Sequence, residues 1–153
     1  MTVGGRAVAV QAHGVRSPVA LARLAELARR VLVASRVPRA LLSVTLVSRR
    51  TMARLNRVHL GHRGPTDVIA FTLRPGLAGV VVGDVYICPD VARQHARDHR
   101  VGIREELARL VVHGTLHVCG YEHPVDAGRI TSKMWRRQEQ LLNRFWISPS
   151  LPA

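Results

Sequence analysis

The sequence predicts a mixed α and β fold (α/β, in the α+β sense), in which about four strands form a mixed sheet packed with helices. Segments with alternating apolar residues are interspersed with segments of helical periodicity along the whole chain. The 153 residues are 47% hydrophobic and 22% charged, which is typical of globular proteins. Chains of this size bury about 68–70% of their unfolded surface, enough for one core. We therefore expect residues 1–153 to form one domain, with a frayed tail from about residue 148.

The chain begins with a predicted strand, helix and second strand. Residues 6–12 alternate between apolar and polar positions, as a half-buried strand does. Ser17 is the expected N-cap of the helix, with Pro18 in its first turn. The apolar face of that helix comprises Leu21, Leu24, Ala28, Val31 and Leu32. Residues 41–47 are rich in β-branched and aliphatic side chains and predict the second strand.

A basic amphipathic helix is predicted over residues 49–60, with Ser48 as its N-cap. Met52, Leu55 and Val58 are expected to face inward. Its outward side is expected to carry Arg49, Arg50, Arg54 and Arg57.

The middle of the chain predicts a hairpin. Residues 61–67 contain glycine and proline and should form a loop. Residues 68–73 and 80–87 then predict two strands, which residues 74–79 join.

Three more helices are expected in the C-terminal part. Asp90 is the predicted N-cap of a helix that extends to Arg100, and residues 103–119 form the next helix. Gly120 is placed to end that helix in a left-handed conformation, and residues 126–146 predict the last one. Apolar residues at helical spacing in these two helices are Ile103, Leu107, Leu110, Val111, Leu116, Ile130, Met134, Leu141 and Phe145.

The charge of the chain indicates a polyanionic partner. The formal net charge is +13, and twelve arginines precede Thr66 against Glu26 as the single acidic residue. Such a surface attracts nucleic acid, because binding releases counterions from the phosphates. A preference of the genome for arginine codons is the alternative explanation, since 22 of the 23 basic residues are arginine. Aromatic residues make up only 4%, which argues against a base-stacking sheet.

Other patterns limit where the protein acts. No apolar run reaches the 18 or more residues of a membrane span, so no membrane partner is expected. The N-terminal residues lack the features of a secretory signal, and we expect a cytoplasmic location. Cys88 and Cys119 are too few for a disulfide framework and are expected to be small buried hydrophobes without a chemical role.

His113 and His117 are the first two residues of a candidate metal site. They are four residues apart, so on a helix both imidazoles project from one face. This spacing alone is weak, because His95 and His99 show it as well, with no third ligand after them.

The residues that follow strengthen the site. A chain that reverses at Gly120 can bring His123 back towards the first two histidines. Three protein ligands with one open position are typical of catalytic zinc, although imidazoles also accept nickel or copper. Gly114 stands where metzincin peptidases carry the glutamate that acts as general base. Peptide cleavage is therefore disfavoured, and zinc-activated water attacking a phosphodiester is the favoured chemistry.

Three motifs resemble the YbeY family of bacterial endoribonucleases. The first is HGTLHVCGYEH (113–123), which resembles the family signature H-G-x-L-H-x-x-G-Y-D-H. The second is LNRVHLGHRGPTDVIAF (55–71), which resembles the family segment L-N-x-x-x-R-G-x-x-x-P-T-D-V-L-S-F. The third is VGDVYICPDVARQHA (82–96), which resembles the family segment that begins L-G-D-I. The resemblance covers residues 41–142, while the first forty residues agree only in outline. It implies a zincin-like fold with a metal site on a central helix and the following turn. It also implies one Zn²⁺ on the three histidines and single-stranded RNA as substrate. The implied cellular role is maturation of rRNA precursors and ribosome quality control, with the ribosomal subunit or its proteins as partners.

The resemblance has two departures. Leu60 stands where the family has an arginine associated with activity, and Ala70 where it usually has serine. His62 and Arg63 follow in the same loop and are candidate catalytic residues that present positive charge to a phosphate. They are equally compatible with an exposed, mobile loop.

The remaining candidate residues have ordinary structural explanations too. Arg49, Arg54 and Arg57 are candidate substrate-binding residues, although such a run is usually a solvated helix face. The residues that match the family in the turn and in the following strand are expected to serve mainly the local architecture. They are Pro65, Thr66, Asp67 and Asp84.

Two rival functions remain open. Because of Leu60, the chain could be a ribosome-assembly factor that binds RNA and cuts it weakly or not at all. It could also be a zinc hydrolase that acts on a small molecule or a peptide.

Overall fold

A computed structural model describes residues 5–74, 79–122 and 132–148. Four strands and five helices are found there: β1 (Arg6–Ala12), α1 (Leu21–Ala34), β2 (Arg39–Leu46), α2 (Arg49–Leu55), β3 (Val68–Arg74), β4 (Val80–Ile87), α3 (Pro89–Asp98), α4 (Ile103–Val118) and α5 (Lys133–Leu142). Short π-helical turns, Asn56–Leu60 and Asn143–Ile147, extend α2 and α5. The predicted fold class, a mixed sheet of about four strands packed with helices, is confirmed.

The sheet has the order β1-β2-β4-β3. Strands β1, β2 and β4 are parallel, and β3 is antiparallel to β4. The parallel pair β1 and β2 is joined through α1, since neighbouring parallel strands need a crossover connection. The predicted hairpin is confirmed as the β3–β4 pair, with Ile69 opposite Tyr86 and Phe71 opposite Asp84. Strand β3 thus forms one edge of the sheet.

The main core lies between one face of the sheet and helices α1, α4 and α5. Leu24 and Leu32 from α1, Leu107 and Leu116 from α4, and Leu141 from α5 are fully buried in it. The predicted buried residues of α1 are confirmed, except that Leu21 is only partly buried. Helix α4 is the central helix, because it contacts α1, α3, α5, β3 and β4.

A smaller apolar cluster covers part of the opposite face. Met52 from α2, Ile69 from β3 and Val91 from α3 are buried there, and Phe71 and Tyr86 meet edge to face with ring centroids 6.1 Å apart. Helix α2 is held against this face by Met52, as predicted. Its arginines are therefore left on the exposed side.

Helix α4 lies unusually close to β4 because glycines occur on both elements. A Cβ atom at Gly114 would lie 2.5 Å from Cγ1 of Val85, and one at Gly83 would lie 2.4 Å from Cγ1 of Val118. Real Cβ atoms do not approach other atoms so closely, and branched valine side chains cannot rotate away easily. This pair of glycine–valine contacts fixes the height of α4 above the sheet.

Two predicted helix caps are wrong. Helix α1 begins at Leu21, and Ser17 instead bonds locally with the backbone of Val19 through its hydroxyl. Serine often competes in this way with the backbone pattern of a helix. Helix α3 has Cys88 as its N-cap and ends at Asp98, while Asp90 lies inside the first turn. The sequence identified the helices but placed their starts a few residues off.

The basic helix also departs from the prediction near its end. Regular α-helix stops at Leu55, and the following π-helical turn rotates Val58 out to solvent, where 66% of its surface is exposed. The π-helical turn changes the helical register, so a face extrapolated at 3.6 residues per turn fails there. The expectation that Val58 faces inward is wrong, whereas the cap by Ser48 is confirmed by its bond from the Thr51 N–H, 3.2 Å long.

The predicted last helix is present in its second half. Ser132 caps α5 by accepting a hydrogen bond from the Trp135 N–H (3.1 Å), and Met134 and Leu141 are buried as expected. The structure does not describe residues 126–131, where the helix was predicted to begin and where Ile130 lies. It also does not describe the expected frayed tail after residue 148. None of the helices described is long and apolar enough to cross a membrane.

Candidate functional site

Two of the three predicted metal ligands come together at the C-terminal end of α4. The rings of His113 and His117 have centroids 4.7 Å apart and planes inclined at 79°. Two imidazoles that bind one zinc ion, each with a nitrogen about 2.0–2.1 Å from it, have ring centres about 5 Å apart. The spacing of the pair therefore suits a shared ion. His113 is buried and His117 is half-buried, so an ion between them would lie at the edge of the core.

Helix α4 ends after this pair with Gly120 in a left-handed conformation, as predicted. Gly120 has φ +103°, and its N–H donates to the carbonyl of His117 (2.9 Å), while the Tyr121 N–H donates to Leu116 (3.0 Å). Such bonds close a helix and turn the chain back. The hydroxyl of Thr72 on β3 also lies 3.4 Å from the His117 carbonyl. His123, the third predicted ligand, lies outside the described residues.

His113 has a buried partner that the sequence analysis did not identify. Its Nδ1 lies 2.6 Å from Oε1 of Gln138 on α5, and Gln138 is only 1% exposed. The amide nitrogen of Gln138 donates to Glu139 (3.0 Å). No sequence pattern signals a contact across 25 residues between two helices.

The bond to Glu139 leads to a compact charge cluster around Arg109 on α4. The guanidinium of Arg109 donates to both carboxylate oxygens of Glu139, with distances of 3.0–3.2 Å. It also reaches Glu106 (3.0 Å) and Glu105 (3.2 Å) one turn earlier. Burial alone would lower the pKa of Arg109, but its hydrogen bonds to the carboxylates of Glu139 and Glu106 outweigh that effect and raise the pKa above its ordinary value. Arg109 is thus a permanent cation that holds α4 and α5 together.

A second group of metal-ligand atoms lies along the same face of α4. One ligand atom each from Asp67, His95 and Glu106 falls within 4.8 Å of the other two, and such a group could hold a metal ion. Existing bonds already engage these atoms: His95 Nδ1 lies 3.2 Å from Asp67, and Glu106 accepts from Arg109. A cation there would have to compete with both bonds.

These three residues border a cavity of about 490 Å³ between α3, α4 and α5. Its other lining residues are His99, Val101, Arg109, Leu110, His113, Trp135, Gln138 and Glu139. Three carboxylates and one arginine give this cavity a negative character within a chain of net charge +13. The cavity therefore favours cations, in contrast to the rest of the surface.

Sequence reasoning found part of this second group. Asp67 matches the family motif, whereas the spacing of His95 and His99 gives no indication of a third ligand. The two rings are 6.3 Å apart, wider than the His113–His117 pair. Glu106 precedes His113 by seven residues, which places both on one face of a helix, and this spacing was the available signal.

The arginines of α2 and its extension form two groups. Arg54 and Arg57 line a cavity of about 320 Å³, together with Arg50, Thr51 and Ala53. Arg49 points instead towards α3, where its guanidinium lies 3.3 Å from Oε1 of Gln94 and 3.5 Å from the Asp90 carbonyl. Arg50, which was not among the candidate substrate-binding residues, is thus the neighbour of Arg54 and Arg57.

The loop after the π-helical turn exposes the candidate catalytic residues. His62 and Arg63 are both exposed, and Leu60 is 47% exposed. The buried side chain of Asn56 anchors this loop by donating to the carbonyl of Gly64 (2.9 Å). The loop therefore has a defined path at its base.

The other residues carried over from the family have structural contacts. Asp67 accepts a hydrogen bond from the Val68 N–H (2.8 Å) at the start of β3, as a turn residue does. Asp84 faces Phe71 in the sheet register. Ala70 packs against the main core beside Val85, which is the neighbour of Gly114.

Both cysteines are free. Cys88 is buried and Cys119 is half-buried. Burial raises the pKa of Cys119 to about 11 and raises that of Cys88 as well. Little thiolate forms near neutral pH, so neither side chain is set up as a nucleophile.

Comparisons with known proteins agree with this architecture. A family model described as endoribonuclease YbeY matches residues 11–146. One similar curated protein is endoribonuclease YbeY of Acidothermus cellulolyticus, which is 42% identical over 78% of this chain and 80% of its own length. Another is endoribonuclease YbeY of Frankia casuarinae, which is 41% identical over 78% of this chain and 65% of its own length. The match thus spans slightly less than two thirds of the Frankia protein. A solution structure of a Thermotoga maritima protein is 27% identical, with a TM-score of 0.64, and covers 92% of this chain and 89% of that one. With a family model that matches nearly the whole sequence and relatives above 40% identity, the chain belongs to the endoribonuclease YbeY family.

Proposed function

We propose that this chain is a single-domain, metal-dependent endoribonuclease that cuts single-stranded RNA, with one Zn²⁺ held by His113, His117 and His123. The observation that carries the proposal is the pairing of His113 and His117 with ring centroids 4.7 Å apart, followed by the left-handed helix end at Gly120. Family membership supports the reaction type, because the matched relatives are named endoribonucleases. Bound zinc lowers the pKa of a water ligand to about 7 and polarises a phosphoryl oxygen.

The chain's own residues define what surrounds that ion. Gly114 provides no carboxylate beside the two histidines, and Val85 leaves no room for one. The glutamate-dependent mechanism of zinc peptidases is therefore unsuited to this site. This supports phosphodiester cleavage over peptide cleavage.

We propose that Arg54 and Arg57 bind the phosphate backbone of the RNA, together with Arg50. The three guanidinium groups border one cavity, and a planar guanidinium binds a phosphate through two hydrogen bonds. Arg49, although it is part of the same basic run, is engaged with α3 and contributes mainly to the field of the surface. Sequence-independent contacts of this kind suit an enzyme that recognises single-stranded shape and the 2′-hydroxyl.

We propose that His62 and Arg63 supply the positive charge that the family resemblance assigns to an arginine at the position of Leu60. They are exposed, and the Asn56–Gly64 hydrogen bond holds the base of their loop. An arginine or a protonated histidine near the scissile phosphate would stabilise its developing charge.

The cellular setting follows from the family. We propose that the substrate is an rRNA precursor in the cytoplasm, that ribosomal proteins or the subunit present the cleavage site, and that the activity serves ribosome maturation and quality control. The high positive charge supports association with a large RNA.

The paired histidines provide the test of the metal site. His117→Ala is expected to lose the zinc equivalent and at least about 100-fold of RNA cleavage, because metal activation of water supplies several kcal/mol. His95→Ala is the matched control, since His95 also belongs to an i, i+4 pair and to the Asp67–Glu106 group. Metal content by mass spectrometry and cleavage of end-labelled RNA measure both variants.

The result also separates the rival functions. Tight RNA binding without cleavage that depends on His117 would identify an assembly factor that binds RNA. Turnover of a peptide or small ester, without RNA cleavage, would identify another zinc hydrolase. Loss of metal from His95→Ala but not from His117→Ala would place the ion in the Asp67–His95–Glu106 group instead.

Removal of two cavity arginines is expected to weaken RNA binding and its dependence on salt. For single-stranded nucleic acid, the slope of log K against log salt changes by about 0.7 per phosphate contact, so Arg54→Gln/Arg57→Gln should reduce it by about 1.4. The matched control is Arg29→Gln/Arg30→Gln on α1, where both arginines are paired with Glu26. Fluorescence anisotropy titrations with labelled RNA at several salt concentrations measure the slope. Equal slopes for the two double variants would exclude this cavity as the RNA contact.

A further inference from the structure

The structure connects His113 to one buried amide. His113 is 5% exposed and Gln138 is 1% exposed, and 2.6 Å separates the ring Nδ1 from the amide oxygen Oε1. A polar contact this short between two buried side chains is costly to break, because neither group can then turn to water. The relative position of α4 and α5 at this point therefore restricts the His113 ring.

The orientation of the amide is determined by its other end. The Nε2 group of Gln138 donates to Oε2 of Glu139 (3.0 Å). Glu139 is in turn held by the guanidinium of Arg109, which carries no acceptor. A rotation of the amide by 180° would place its oxygen against a carboxylate oxygen, so the orientation with Oε1 towards His113 is the stable one.

The orientation of the amide decides the tautomer of His113. An amide oxygen only accepts hydrogen bonds, so Nδ1 of the neutral ring carries the proton and donates it to Gln138. The lone pair of the ring is then on Nε2. Histidines that bind metals through one nitrogen commonly donate the other N–H to an oxygen, which fixes the ring and makes it a better ligand.

We propose that Gln138 is a positioning residue: by accepting from Nδ1, it sets the tautomer and ring angle in which His113 presents Nε2 to the metal. This inference rests on the proposed function, in which His113 is a zinc ligand. Arg109 and Glu139 extend the arrangement by holding the amide, so α5 takes part in a metal site to which it contributes no ligand. Ser132 at the start of α5 and the buried Met134 and Leu141 keep Gln138 in place.

The experiment compares Gln138→Leu, which removes the acceptor, with the exchange variant Gln138→Glu/Glu139→Gln. The exchange variant keeps an oxygen facing Nδ1, a hydrogen bond between residues 138 and 139, and the net charge of the cluster. Gln140→Leu is the matched control, because Gln140 is an exposed glutamine on the same helix whose amide oxygen accepts from the exposed side chain of Arg137 (2.8 Å). Long-range ¹H–¹⁵N spectra of the metal-free proteins report which nitrogen of His113 is protonated. Competition with a chromophoric chelator gives the zinc affinity, and thermal unfolding checks that each variant is folded.

Wild type, Gln138→Glu/Glu139→Gln and Gln140→Leu are expected to show His113 protonated on Nδ1. Gln138→Leu should show a mixture of tautomers and bind zinc about 10–100-fold more weakly. An unchanged tautomer and affinity in Gln138→Leu would overturn the proposal, as would an Nε2-protonated ring in the wild type. If Gln138→Leu does not fold, two other results decide. They are the tautomer of His113 in the wild type, and whether Gln138→Glu/Glu139→Gln keeps that tautomer with a zinc affinity near that of the wild type. The tautomer of wild-type His113 is measured without metal, so it tests the role of Gln138 independently of catalysis. Absence of RNA cleavage or of zinc binding would instead refute the proposed function.

Discussion

Gly114→Glu, which introduces the metzincin base, is expected to lower the free energy of unfolding by about 3 kcal/mol or more and to leave much of the protein unfolded. The Cβ atom alone would lie 2.5 Å from Cγ1 of Val85. Overpacking of a core costs about 1–3 kcal/mol. Burial of a carboxylate without a partner adds further cost. Urea denaturation followed by circular dichroism measures the effect.

Two alanine variants separate the packing term from the charge term. Gly114→Ala should still destabilise the protein, because the higher helix propensity of alanine stabilises by only about 1 kcal/mol and does not offset the clash with Val85. Gly102→Ala at the N-cap of the same helix is the control. A Cβ atom there meets nothing within 4 Å, so the expected loss is only that of alanine as an N-cap, about 1 kcal/mol. Adding Val85→Ala to Gly114→Ala should recover part of the loss, as residues in contact are not additive. A fully additive double variant would contradict the close contact.

Arg109→Met is expected to lower the free energy of unfolding by about 3 kcal/mol. Breaking a buried ion pair from one side costs about 3–5 kcal/mol, and the lower end applies because Glu105 and Glu139 remain partly exposed to water. The variant leaves three carboxylates close together without their cation. Chemical denaturation near neutral pH measures the loss.

Arg93→Met is the matched control for that substitution. Arg93 forms an ion pair with Asp90 on α3, 3.3 Å long, and both side chains are exposed. Exposed pairs contribute about 0–1 kcal/mol, so this variant should unfold almost like the wild type. Similar losses for the two variants would show that the Arg109 cluster does not hold α4 and α5 together.

The sequence predicted the elements well because hydrophobic periodicity records burial directly. The alternation in residues 6–12 and the apolar face that contains Leu24, Val31 and Leu32 correspond to β1 and α1. Positions decided by competition between short-range polar bonds were missed. The Ser17 hydroxyl bonds to the backbone of Val19 within the loop instead of capping α1. The π-helical turn shifts Val58 away from the buried face of α2.

The candidate site was predictable to the extent that its residues share one helix. The spacing of His113 and His117 and the glycine that ends α4 are local features, and periodicity reveals them. Gln138 and the Asp67–His95–Glu106 group depend on how distant elements pack, and no local pattern encodes that. The different contacts of Arg49 and Arg54 could not be predicted for the same reason. Arg49 bonds to Gln94 because α3 lies beside it, and the sequence of α2 does not encode that position.

The glycine–valine contacts between α4 and β4 limit how this protein can change over evolution. Gly114 and Val118, which directly follow His113 and His117 on α4, each meet a fixed partner on the strand. A descendant that gained an acidic side chain at residue 114 would need a smaller residue at 85 at the same time. Peptidase chemistry is thus separated from this scaffold by at least two simultaneous mutations, of which neither alone is neutral.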